Sequence, residues 1–122
     1  MSRLAELVAA YDRPIETGRG RLLDEMDALG GGAEARRLAG SPDAEERRVA
    51  ARLMHLLPDP EHLPALERLV TDPDPAVAAA ARRALRGQTR TPEWHAAVTR
   101  LATADDPALR ADANAWLDES RR

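Results

Sequence analysis

Arginines dominate the chemistry this chain can offer. Spaced four apart, Arg47, Ala51 and His55 fall on one stripe of a helix, as do Ala78, Arg82 and Arg86 in a second segment and Arg110, Asn114 and Asp118 in a third. A neighbouring stripe adds Arg48, Arg52 and Arg83. A guanidinium presents its N–H groups as a flat fork that matches the paired oxygens of a carboxylate or phosphate. The spacing therefore nominates Arg47, Arg48, Arg52, His55, Arg82, Arg83, Arg86, Arg110 and Asn114 as a binding face for an acidic peptide or protein surface. The competing reading is a solvated face, partly paired with Glu45, Glu46 and Asp112.

Catalytic chemistry finds less support. His55, His62 and His95 fall in different segments without metal-ligand spacing, and all three are expected at the surface. Ser2, Ser41 and Ser120 have no base nearby in sequence, and Ser41 suits a helix start. The run Gly18–Arg21, GRGR, lacks the Lys-Ser/Thr of a phosphate-binding loop, and there is no cysteine for thiolate chemistry. No catalytic residue, metal ligand or cofactor is nominated.

Composition narrows the partners. Charged residues make up 32% of the 122, and the net charge of -3 argues against a dedicated nucleic-acid binder. All 18 basic residues are Arg, which a GC-rich genome explains as readily as selection for guanidinium chemistry. Glu6 interrupts the short apolar stretch near the start, and no apolar run approaches the roughly 20 residues of a membrane span, so a cytoplasmic protein is expected. With no Phe, one Tyr and two Trp, the core must be thin and built from closely approaching helices.

The elements that carry the arginines repeat. Between Pro60 and Leu85, twelve of 26 positions are identical to those 32 residues on, from Pro60/Pro92 through Asp74/Asp106 to Leu85/Leu117. A fainter register extends backwards, giving the series Leu7, Leu38, Leu69, Leu101 and the series Asp12, Asp43, Asp74, Asp106. Second halves add Ile15, Glu46, Val77, Leu109; then Arg19, Ala50, Ala81, Ala113; then Leu23, Met54, Leu85, Leu117. Such a period marks a solenoid, here a single domain of four units at about 1–29, 30–58, 59–90 and 91–122. Each unit reads as two amphipathic helices, placed at 2–11, 18–29, 33–40, 43–57, 61–72, 75–87, 92–104 and 106–120.

The start signals are acid-proline pairs. Asp74 and Asp106 can accept a bond from a first-turn amide, and Pro75 and Pro107 sit where a missing N–H costs nothing. Pro60 and Pro92 serve the first helices after Asp59 and Thr91, while Pro64 should delay or bend its helix. Ala80, Ala81 and Ala84 let one helix lie close to its neighbours, and Gly30–Gly32 should end a helix and loosen a joint. Trp116 stands where the preceding unit has Ala84; it reads as a cap over the last unit or as a stacking platform for a ligand.

The segments DPDPAVAAAARRAL, from Asp72, and DDPALRADANAWL, from Asp105, resemble the second helix of HEAT repeats in their short bacterial form. Asp74, Pro75, Val77, Ala80, Ala81 and Leu85 match that pattern, as do Asp106, Pro107, Leu109, Arg110, Ala113 and Leu117. The second unit matches at Asp43, Arg47, Ala50, Ala51 and Met54 but carries Glu46 at an apolar position, and the first departs most, with Arg19 for alanine. The resemblance implies an all-α fold, a right-handed α-solenoid of about four antiparallel helix pairs whose second helices line a concave face. It also implies binding to another protein; self-association through an open end, a phycobilin lyase subunit and a DNA alkyl-base glycosylase are further options. For the glycosylase, Trp94, Trp116, Asp112 and Asp118 supply the residue types, although no motif sets an Asp beside both rings.

Overall fold

A computed structural model of the chain describes residues 2–13 and 18–121. These residues form eight α-helices and no strand: α1 (Arg3–Asp12), α2 (Arg19–Ala28), α3 (Gly31–Leu38), α4 (Ala44–Leu56), α5 (Leu63–Leu69), α6 (Pro75–Arg86), α7 (Pro92–Leu101) and α8 (Pro107–Ser120). A 3-10 turn, Pro60–His62, precedes α5. Pro64 is the reason: it sits in the first turn of α5, so the regular helix begins only at Leu63.

Caps set the starts. Asp43 accepts from Glu45 N, Asp74 from Ala76 N and Val77 N, and Asp106 from Ala108 N and Leu109 N. Thr91 caps α7 through Trp94 N, Asp59 caps the 3-10 turn through Glu61 N, and Ser2 caps α1 through Ala5 N. Ser41 serves one step earlier, its Oγ accepting from Asp43 N. Asp12 breaks the series, because it ends α1 and caps nothing; α2 starts instead from Gly18, whose φ of 90° is left-handed. Ile15, which belongs to the same register, lies outside the described residues.

Antiparallel pairs α1–α2, α3–α4, α5–α6 and α7–α8 pack internally, and pairs stack on one another as an α-solenoid. The most extensive joint is α4 against α6, where Ala50, Ala51, Ala81 and Ala84 are fully buried and let the two backbones approach. First helices α5 and α7 pack in the same sense. Leu7, Leu38, Leu69 and Leu101, one per unit, all point into the core, together with Val77, Leu85, Leu109 and Met54.

The first pair docks differently, with α1 lying against α4 and α2 against α3. In α2 the buried residue is Met26, three positions beyond Leu23, which is only half-buried, and Arg19 is exposed at the alanine position. The glycine joint before α3 is tight rather than loose. A Cβ on Gly31 would lie 2.8 Å from both the Met26 carbonyl oxygen and Leu57 Cδ1, so the close approach itself requires glycine.

Polar side chains stitch the pairs together. Gln88 is buried; its amide donates to Met54 O at 2.9 Å and Ala84 O at 3.1 Å, while its oxygen accepts from Asp59 N at 3.1 Å. The indole N–H of buried Trp94 donates to Leu85 O at 2.8 Å, and Arg90 stacks 3.9 Å over its ring. Between α6 and α8 the tie is ionic: Arg82 reaches Asp106 at 3.3 Å and Asp112 at 3.8 Å, and Arg86 reaches Glu119 at 2.7 Å.

Candidate binding face

Helices α4, α6 and α8 carry all nine nominated residues, but the stripes differ in what their charges already hold. Arg47 and Arg82 are joint pieces. Arg47 donates through Nε and Nη2 to the two oxygens of Asp72, at 2.8 and 3.2 Å, and through Nη1 to Ser41 O. Both partners are largely covered, with side-chain exposures of 16% and 7%, and the guanidinium holds the Asp72 carboxyl below its usual range. Arg82 adds a bond to Val70 O to its two acidic contacts, so it ties the preceding turn to α8.

The remaining members are looser. Arg48 pairs with Glu45 one turn back, and Arg86 with Glu119 across the exposed gap. Arg110 donates to Ala104 O, using the same six-residue reach as Arg47 to Ser41, and Asn114 donates to Arg110 O. Glu46, at the apolar register position, is exposed and accepts from Ser41 Oγ. Arg83 is exposed and has no ion pair among the described residues.

Three nominated residues meet in a polar cleft. Arg52 and His55 of α4 and Arg83 of α6 line a cavity of about 570 Å³ with Tyr11 and Asp12 from the end of α1 and Arg19 from the start of α2. Arg52 grips Asp12 through Nε and Nη2, whereas its Nη1 is buried without a partner. His55 Nδ1 is likewise buried and unpartnered. A buried donor or acceptor left without a bond costs about 1–3 kcal/mol, so this cleft is the least satisfied polar region among the described residues. Burial lowers the His55 imidazole below its ordinary pKa, the charges of Arg52 and Arg83 push in the same direction, and the nearby Arg83 backbone carbonyl and Asp12 oppose the shift.

A family model for HEAT repeats matches residues 35–117. The chain belongs to the HEAT-repeat family. The HEAT-repeat match runs from within α3 to near the end of α8, so it takes in the regularly stacked pairs and leaves out α1 and α2, whose docking departs from the array. No curated protein and no solved structure matches the chain. HEAT repeats commonly serve as protein-interaction modules, since stacked pairs leave an extended surface free. No helix of the described residues is long and apolar enough to cross a membrane.

The surface placement expected for all three histidines holds only for His95 in this HEAT-repeat chain. His62 is fully buried in the 3-10 turn; Nε2 lies 2.8 Å from Leu57 O and Nδ1 3.1 Å from Arg36 Nη1, so the neutral ring donates to the carbonyl and accepts from the guanidinium. Both tryptophans are buried too, Trp94 completely and Trp116 to 6% exposure, which fits a core and cap role rather than a stacking platform. Sequence reasoning missed Asp12 as the partner of Arg52, and Tyr11 and Arg19 as its neighbours in the cleft. The register assigns Asp12 to the capping series, and nothing in local spacing links it to a residue 40 positions on.

Proposed function

We propose that this HEAT-repeat protein is a non-enzymatic interaction module, an adaptor, assembly factor or inhibitor that holds an acidic peptide or protein surface along the arginine-bearing face of α4, α6 and α8. The observation that carries the reading is the run of exposed arginines on that face, Arg83, Arg86 and Arg110, in a chain whose net charge is -3. Arg86 is available by exchange, because its pair with Glu119 is solvent-exposed and such pairs contribute only about 0–1 kcal/mol. Arg48, Asn114 and His55 flank these positions, and Arg47, Arg52 and Arg82 hold the helices that present them. A cytoplasmic setting is part of the same reading.

The nucleic-acid alternative draws less support, since neither Trp offers a free ring for base stacking and Asp112 and Asp118 are drawn toward Arg82 and Arg121. The test is a fluorescence-anisotropy titration with a labelled Asp/Glu-rich peptide, run beside a labelled DNA duplex at low and moderate salt. The expected result is saturable peptide binding that weakens with salt and is abolished in the Arg83→Glu, Arg86→Glu, Arg110→Glu variant, whose thermal midpoint stays near that of the parent. Tighter binding of the duplex, or peptide binding that survives the triple reversal, would overturn the assignment.

A further inference from the structure

We propose that the cleft between the end of α1, the start of α2, and the helices α4 and α6 is a binding site for a tetrahedral dianion, a phosphoryl group being the ligand class. Arginines from three helices, Arg19, Arg52 and Arg83, line this one cavity, and among the described residues Asp12 is the one carboxylate that lines it with them. Among the described residues that line it, three positive charges and one negative leave an excess of two, which a dianion neutralises and a monocarboxylate does not. The donors suit three or four acceptor oxygens: Arg83 has no ion pair among the described residues, and Arg19 makes one long bond to Arg13 O and lies 5.3 Å over the ring of Tyr11, which also lines the wall.

A second, independent observation points the same way. Among the described residues, the two buried side-chain polar atoms without a hydrogen-bond partner, Arg52 Nη1 and His55 Nδ1, belong to residues lining this cavity. The region is thus short of hydrogen-bond partners as well as of negative charge. Among the described residues, the charged and titratable groups around His55 are Tyr11 and Asp12 from α1, Arg19 from α2, Arg52 from its own helix and Arg83 from α6. A bound dianion offsets the arginine charges that add to burial in disfavouring the imidazolium, so ligand binding and proton uptake at His55 are coupled. The site shares Arg52, His55 and Arg83 with the acidic-partner reading but does not depend on it.

The probe is sulfate, a dianion throughout the pH range in which histidine titrates, with inorganic phosphate, acetate and chloride at matched ionic strength. NMR of the imidazole C–H signals, with His55 assigned by its loss in His55→Gln, reads both binding and protonation. Sulfate and phosphate are expected to shift His55 saturably and raise its titration midpoint, leaving His95 in place. Arg83→Gln and Arg19→Gln, both exposed positions, should each weaken sulfate by about tenfold. Phosphoserine peptide binding tighter than phosphate would place the ligand on a partner chain, and equal binding would make it a free anion; both sustain the site. An unsaturable shift, an equal response to acetate, or full sulfate affinity in both variants would overturn it. Loss of sulfate binding with acidic-peptide binding intact would sink this proposal alone, and the converse would sink only the partner assignment.

Discussion

Arg47 holds Asp72 across the joint between the second and third pairs, by two parallel N–H···O bonds to a side chain that is only 7% exposed. Asp72 in turn accepts from Asp74 N, so the clamp orders the turn that launches α6. Arg47→Ala is expected to lower the thermal midpoint by about 5 °C, read by circular dichroism. The pair also shapes the acid limb. Because the folded Asp72 carboxyl is held below its unfolded value of 3.8, its contribution is complete above that pH and disappears as pH falls further. Acid titration of Arg47→Ala should therefore show a shallower loss below about pH 4 than the parent.

Gln88 is a tie rather than a surface polar residue. Truncation in Gln88→Ala leaves Met54 O and Asp59 N without their side-chain partners in a buried seam. Urea unfolding should show a loss of about 2–3 kcal/mol with an unchanged slope. An unchanged midpoint would mean that water replaces the amide without cost.

His62 makes stability depend on mildly acidic pH. Burial lowers its pKa below the ordinary 6.5, assisted by the charge of Arg36, while the Leu57 carbonyl, Asp59 and Glu61 oppose the shift. The unfolded state then binds more protons than the folded state below 6.5, so the contribution is full above that value and falls as pH drops toward the folded pKa. His55 acts in the same direction. Chemical unfolding at pH 7 and pH 5 should find the parent weaker at pH 5, and His62→Gln should remove part of that difference.

The regular half of this molecule was legible because its signals are local. Asp74-Pro75 and Asp106-Pro107 state where helices begin, and Val77, Ala81 and Leu85 state which face is covered; the structure agrees at each of these positions. The first pair was not, because its docking against α4 depends on surfaces distant in sequence, and the 31-residue register placed Asp12 at a cap it does not make. The candidate face was half legible. Helical spacing grouped the arginines, yet spacing says nothing of Asp72 or Asp12, the acids that turn Arg47 and Arg52 from candidate contacts into structural ties.

Close-packed alanines join α4 to α6, whereas bridges of arginine to acid span α6 and α8. Dissolved ions weaken such bridges and leave alanine contacts untouched. The face of the array between α6 and α8 therefore responds to dissolved salt in a way that the alanine seam between α4 and α6 does not, while buried Trp94, Leu109 and Ala113 keep the last pair anchored beneath it.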